Sequence, residues 1–98
     1  MYGRWNDNGR TGYGIDISYN GDKYRGEFRL DDNDNEFFSY SGWGHMKYQN
    51  NDEFDGYWHN GFKNGEGIFK EASTGRIERR RYYNDVVIEV LEVIEQGQ

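Results

Sequence analysis

The chain has 98 residues with 12 basic and 18 acidic side chains, 14 glycines, no proline and no cysteine, which suits one domain and excludes disulfide and thiol chemistry. Its net charge of −6 lacks the basic footprint of a nucleic-acid binder, and it holds no apolar run of the roughly 18 residues that a membrane-spanning helix needs. Only 34% of residues are apolar, but 3 Trp, 9 Tyr and 6 Phe are present, and each large ring can bury about 150–250 Å², so the core must be aromatic and the composition fits a small glycine-rich β protein.

In chain order, Met1-Tyr2-Gly3-Arg4-Trp5 opens the chain without the basic-then-apolar run of a secretory signal. It alternates as a strand does, and Asn8-Gly9 predicts a tight turn before a return strand at Gly12 and Gly14. Tyr19-Asn20-Gly21-Asp22 is the joining turn to the next unit. Tyr24-Arg25-Gly26-Glu27-Phe28 repeats the pattern aromatic, x, Gly, x, aromatic, followed by an acidic insertion, Leu30 to Glu36, and a second glycine pair, Gly42 and Gly44. Asn50-Asn51-Asp52 turns into Phe54-Asp55-Gly56-Tyr57-Trp58, then the Asn60-Gly61 turn and Gly65-x-Gly67. Ser73-Thr74-Gly75 leads to Ile77–Tyr83, which has no glycine and reads as a degenerate closing strand. Met1 to Tyr24 is 23 residues, and Tyr24 to Phe54 is 30, longer by the seven residues of the insertion. The unit is therefore a hairpin of about 23 residues, starting at 1, 24 and 54, with a partial fourth from 77.

The tail, residues 84–98, predicts a short C-terminal helix. Asp85, Glu89, Glu92 and Gln96 fall on one helical face, with Val87, Val90, Leu91 and Ile94 opposite. Asn84 would serve as N-cap. Such a helix would cap the array or offer a partner a surface.

The copy Phe54-Asp55-Gly56-Tyr57-Trp58-His59-Asn60-Gly61-Phe62-Lys63-Asn64-Gly65-Glu66-Gly67 resembles the MORN (membrane occupation and recognition nexus) repeat, Tyr-x-Gly-x-Trp-x-Asn-Gly-x-x-x-Gly-x-Gly, at every position but Phe for the first Tyr. The resemblance covers residues 1–83. It implies an all-β fold, an elongated antiparallel sheet of stacked β-hairpins, and a non-enzymatic scaffold or adaptor in a cytoskeletal, ciliary or membrane-contact assembly. It also implies an intracellular, cytoplasmic, cytoskeletal or ciliary setting.

Candidate sites follow from chemistry. Tyr2, Tyr13, Tyr57 and Trp58 are candidate partner-binding residues on an aromatic sheet face, although the same rings could simply form the core. Tyr57 alternates with Asp55 and His59 and so faces away from Phe54, Gly56 and Trp58. Arg76, Arg79, Arg80 and Arg81 could hold a lipid or other anion, or could form a charged strand paired with carboxylates. The negative charge favours a basic or amphipathic protein segment as partner. Open sheet edges would permit a homo-oligomer. His45 and His59 lack neighbouring His or Cys, and the acidic loop fails the calcium-loop pattern, so no metal, cofactor or catalytic residue is expected.

Overall fold

The computed structural model describes residues 2–5, 11–30 and 38–97, with side chains from 11–30 and 39–97. The expected Asn8-Gly9 turn and acidic residues 31–36 lie outside the described residues. The strands are β1 (Tyr2–Trp5), β2 (Thr11–Ile17), β3 (Lys23–Leu30), β4 (Phe38–Lys47), β5 (Glu53–His59), β6 (Phe62–Lys70), β7 (Ile77–Tyr83) and β8 (Val86–Glu95). They form one open antiparallel sheet in chain order, β1 to β8. The molecule measures 46 × 25 × 19 Å, so the sheet is elongated across its strands.

One register relationship organises the sheet. Gly3 pairs with Gly14, Gly14 with Gly26, Gly26 with Gly44, Gly44 with Gly56, and Gly56 with Gly67. This glycine row crosses six strands, then meets Arg80 on β7. Bare backbone leaves room for rings to lie flat on the sheet. A Cβ at Gly56 would stand 2.6 Å from Phe54 Cζ and 2.6 Å from Gly67 Cα. The sheet can thus bury its core on one face.

The core consists of Tyr24, Phe28, Met46, Phe54, Trp58 and Tyr82, with Tyr40, Tyr48 and Phe69 packed against it. Tyr24 stacks on Tyr40 with centroids 3.8 Å apart, while Trp58 meets both edge-on at 5.6 and 5.5 Å. Phe54 continues the herringbone to Trp58 at 5.5 Å and Tyr82 at 5.1 Å. Each such pair adds about 0.5–1.5 kcal/mol beyond burial. The polar tips are satisfied: Tyr24 donates to the Glu27 carbonyl at 2.7 Å, and Tyr40 to Asp16 at 2.7 Å. Burial raises both phenol pKa values. The Lys63 ammonium closes one end, 5.1–5.5 Å from the Tyr48, Phe54 and Tyr82 rings. Burial lowers its pKa.

Turn chemistry sets the register. Asn60 and Gly61 have φ of 49° and 87°, the two positive values that a two-residue turn needs to match strand twist. The joining turns interlock: Asp22 accepts from the Gln49 N–H at 2.9 Å, and Asp52 accepts from the Ala72 N–H at 2.8 Å. Each turn thereby grips the next.

The tail corrects one expectation. Residues 86–95 are strand β8, not a helix, and no helix occurs among the described residues. Asn84 and Asp85, at φ of 47° and 72°, form a hairpin turn like Asn60-Gly61 rather than a helix cap. The helical spacing has a different cause. The β7–β8 ladder pairs Arg81 with Glu89, Arg79 with Glu92 and Ile77 with Glu95, with one register shift in each interval and a third between Arg81 and Tyr82. Each bulge adds one residue. A strand that carries one bulge per step repeats every three residues and so imitates helical periodicity.

Candidate functional site

A second row crosses the opposite, outer face. It runs Tyr13 on β2, Glu27 on β3, Trp43 on β4, Tyr57 on β5, Glu66 on β6, Arg81 on β7 and Glu89 on β8. Direct pairing joins Tyr13 to Glu27, Trp43 to Tyr57, Glu66 to Arg81 and Arg81 to Glu89. The other steps are bulges. Between Gly44 and Tyr40 on β4 lie two more residues than between Gly26 and Phe28 on β3. The same excess recurs on β6 opposite Gly56–Trp58. Gly42 and Gly65 take up these bulges at φ of 96° and 97°, which L side chains rarely adopt.

The half-row from Tyr13 to Tyr57 is aromatic. Tyr13, Trp43 and Tyr57 are 61%, 47% and 52% exposed. The Glu27 carboxylate sits among them. It accepts the Tyr13 hydroxyl at 2.9 Å and the Trp43 backbone N–H at 2.8 Å, so it fills the β4 bulge. Its charge also raises the Tyr13 pKa through that hydrogen bond. Trp43 and Tyr57 meet edge-to-face at 5.1 Å. Three rings and a carboxylate at one surface can accept a cationic side chain by ring contact and ion pairing.

The half-row from Glu66 is ionic. Arg81 bonds Glu89 at 2.7 Å and approaches Glu66 at 3.8 Å, and Arg79 bridges Glu66 at 2.7 Å and Glu92 at 3.3 Å. The adjacent row holds His45, with Nδ1 2.6 Å from Asp55 and Nε2 3.4 Å from Glu53. Among the described residues, no set of three or more His, Cys, Asp and Glu is arranged to hold a metal.

The sequence candidates separate. Tyr13 and Tyr57 stand together on the outer face. Trp58 lies on the other face, 6% exposed, its indole N–H donating to the Gly44 carbonyl at 3.3 Å. It belongs to the core rather than to any exposed surface. Tyr2 opens β1, and its side chain lies outside the described residues. All four candidate arginines are engaged by carboxylates. Besides Arg79 and Arg81, Arg76 and Arg80 both grip buried Glu78 at 2.7 Å, and Arg80 lies 4.5 Å over the Phe69 ring. Hydrogen bonds from Arg76 and Arg80 hold the Glu78 pKa below its ordinary value. Glu27 and Trp43 were not evident candidates. The available signal was positional: Glu27 occupies the place in its unit that Tyr57 occupies in the next. Comparison of the chain with known family models and with curated proteins finds no match.

Proposed function

We propose that the chain is a MORN-type hairpin array and acts as a non-enzymatic scaffold or adaptor, docking a basic segment of another protein within a larger assembly. Several features support the repeat reading. The bulge glycines Gly42 and Gly65 share one φ, and the Asn60-Gly61 and Asn84-Asp85 turns share one geometry. Gly61 N–H bonds the Tyr40 carbonyl at 2.9 Å, and Asp85 N–H bonds the Lys63 carbonyl at 2.9 Å, so each turn docks on an earlier strand in the same way.

The observation that carries the docking proposal is the Tyr13–Glu27–Trp43–Tyr57 half-row. The core is complete on the other face, so these exposed rings add little to folding. Rings around a carboxylate suit an Arg or Lys of a partner, and the chain's net charge of −6 attracts such a segment. The test is a cross-linked pull-down from the native source, read by mass spectrometry, with wild type and a Trp43→Ala/Tyr57→Ala variant as baits. The proposal expects a partner held by wild type and lost by the variant. A partner retained by the variant would remove the half-row from the function. Capture by anionic vesicles without any protein partner would replace the adaptor reading with membrane association.

A further inference from the structure

We propose that the free edge of β8 accepts a ninth strand, an extended partner segment whose side chains alternate basic and apolar. This deepens the adaptor reading and rests on it, but uses a different surface. Among the described residues β8 is last in the sheet order and pairs with β7 alone. Its outer backbone rim is therefore a template for strand addition. Sheet edges are usually blunted by charged side chains, lysine above all, by proline, or by bulges that twist the edge away. β8 has neither lysine nor proline; its three register shifts bulge the strand, but the residues they skip are the apolar Ile88, Leu91 and Ile94, and the charges left along it are glutamates that a cationic strand would meet. Val86, Ile88 and Val90 are at least half exposed.

The chemistry of the occupant follows from the sign of charge across the outer face. Glu66 on β6 is negative, Arg79 and Arg81 on β7 are positive, and Glu89 and Glu92 on β8 are negative, joined by the ion pairs described above. The alternation stops at the edge with two cations against three anions. A further strand that continues it presents Lys or Arg opposite Glu89 and Glu92. On the other face, Val87, Val90 and Val93 pair with Tyr82, Arg80 and Glu78, and offer an apolar strip to the alternate side chains. A second copy of this chain pairing β8 to β8 would instead set glutamates against glutamates, which is destabilising.

The probe is a short fluorescent peptide alternating lysine with valine and threonine. Controls replace lysine by glutamate, or insert proline. Binding is read by anisotropy, and the site by amide hydrogen exchange. The expected result is saturable binding, weaker by about tenfold or more for both controls and weakened by salt, with new protection of β8 amides. Glu89→Gln/Glu92→Gln should weaken it comparably. Exchange at β8 without peptide checks that this variant keeps its last strand. Trp43→Ala/Tyr57→Ala should leave it unchanged, which separates this site from the half-row. Unchanged β8 protection at saturating peptide would overturn the proposal. So would loss of binding only in the Trp43/Tyr57 variant, or light scattering that shows a dimer closing the β8 edge.

Discussion

Gly44 lies against the hydroxyl end of the Tyr24 ring, so a Cβ at position 44 would clash with the phenol's Oη, Cε2 and Cζ. The ring cannot yield easily, because it is stacked on Tyr40 and tied to the Glu27 carbonyl. Gly44→Ala should therefore destabilise the protein by about 1–3 kcal/mol or more, as overpacking does. Gly75 has open space around its missing Cβ and only a φ of 78° to lose, so Gly75→Ala should cost about 1–2 kcal/mol. Urea unfolding of both variants checks the order. Equal or reversed losses would mean that the glycine row does not seat the rings.

Asp85 joins the last hairpin to β6. Its carboxylate accepts the Lys63 N–H at 2.7 Å, and its backbone sits at a φ of 72°. Asp85→Ala loses the hydrogen bond and keeps the strain, whereas Asp85→Gly loses the bond and sheds the strain. Alanine should cost about 1–2 kcal/mol more than glycine, the price of left-handed backbone with a Cβ. Hydrogen exchange should locate the loss in β7 and β8. A loss spread evenly over the sheet would show that the turn is not local to that hairpin.

The aromatic–glycine spacing made most of the sheet legible, because period-two rings and Asn-Gly turns are local signals. The tail was not. Glu89, Glu92 and Glu95 stand opposite Arg81, Arg79 and Ile77 with a bulge in each interval, and bulges convert strand period into near-helical period. A quieter signal was present: Tyr82-x-Asn84 repeats Trp58-x-Asn60, which marks β7 as the first strand of a hairpin rather than the end of the array. Of the site, Tyr13 and Tyr57 were legible. Trp58 fell on the core face because alternation sends it with Phe54. Trp43 and Glu27 were hidden because a bulge, not sequence spacing, brings them together.

Glu78 gives the fold an acid sensitivity. It is buried between Arg76 and Arg80, and their hydrogen bonds depress its pKa below the ordinary 4.5. Below that ordinary value the unfolded chain binds a proton that the folded chain resists. The contribution is therefore complete above about pH 4.5 and is lost as pH falls through the lower folded value. Glu78→Gln should cost about 1–3 kcal/mol at neutral pH. It should also flatten stability between pH 5 and the acid limit relative to wild type, measured by urea unfolding across that range. A variant with an unchanged acid slope would assign the sensitivity to other carboxylates.

Trp43 and Trp58 test the division between the two faces most directly. Trp58 is packed among Tyr24, Tyr40 and Phe54, whereas Trp43 touches Tyr57 on the open face. Trp58→Ala leaves a cavity in the packed aromatic layer and should cost about 3–5 kcal/mol, enough to unfold much of a small domain. Trp43→Ala removes an exposed ring and one edge contact, and should cost no more than about 1 kcal/mol. The milder Trp58→Phe variant keeps the fold measurable, and in a Trp5→Phe background, which leaves Trp43 as the one tryptophan, acrylamide should quench the emission efficiently. In the Trp43→Ala protein, the Trp58 component should resist quenching. If Trp43 proved as costly to remove as Trp58, the outer rings would be serving stability, and the half-row would no longer be surplus to folding and available to a partner.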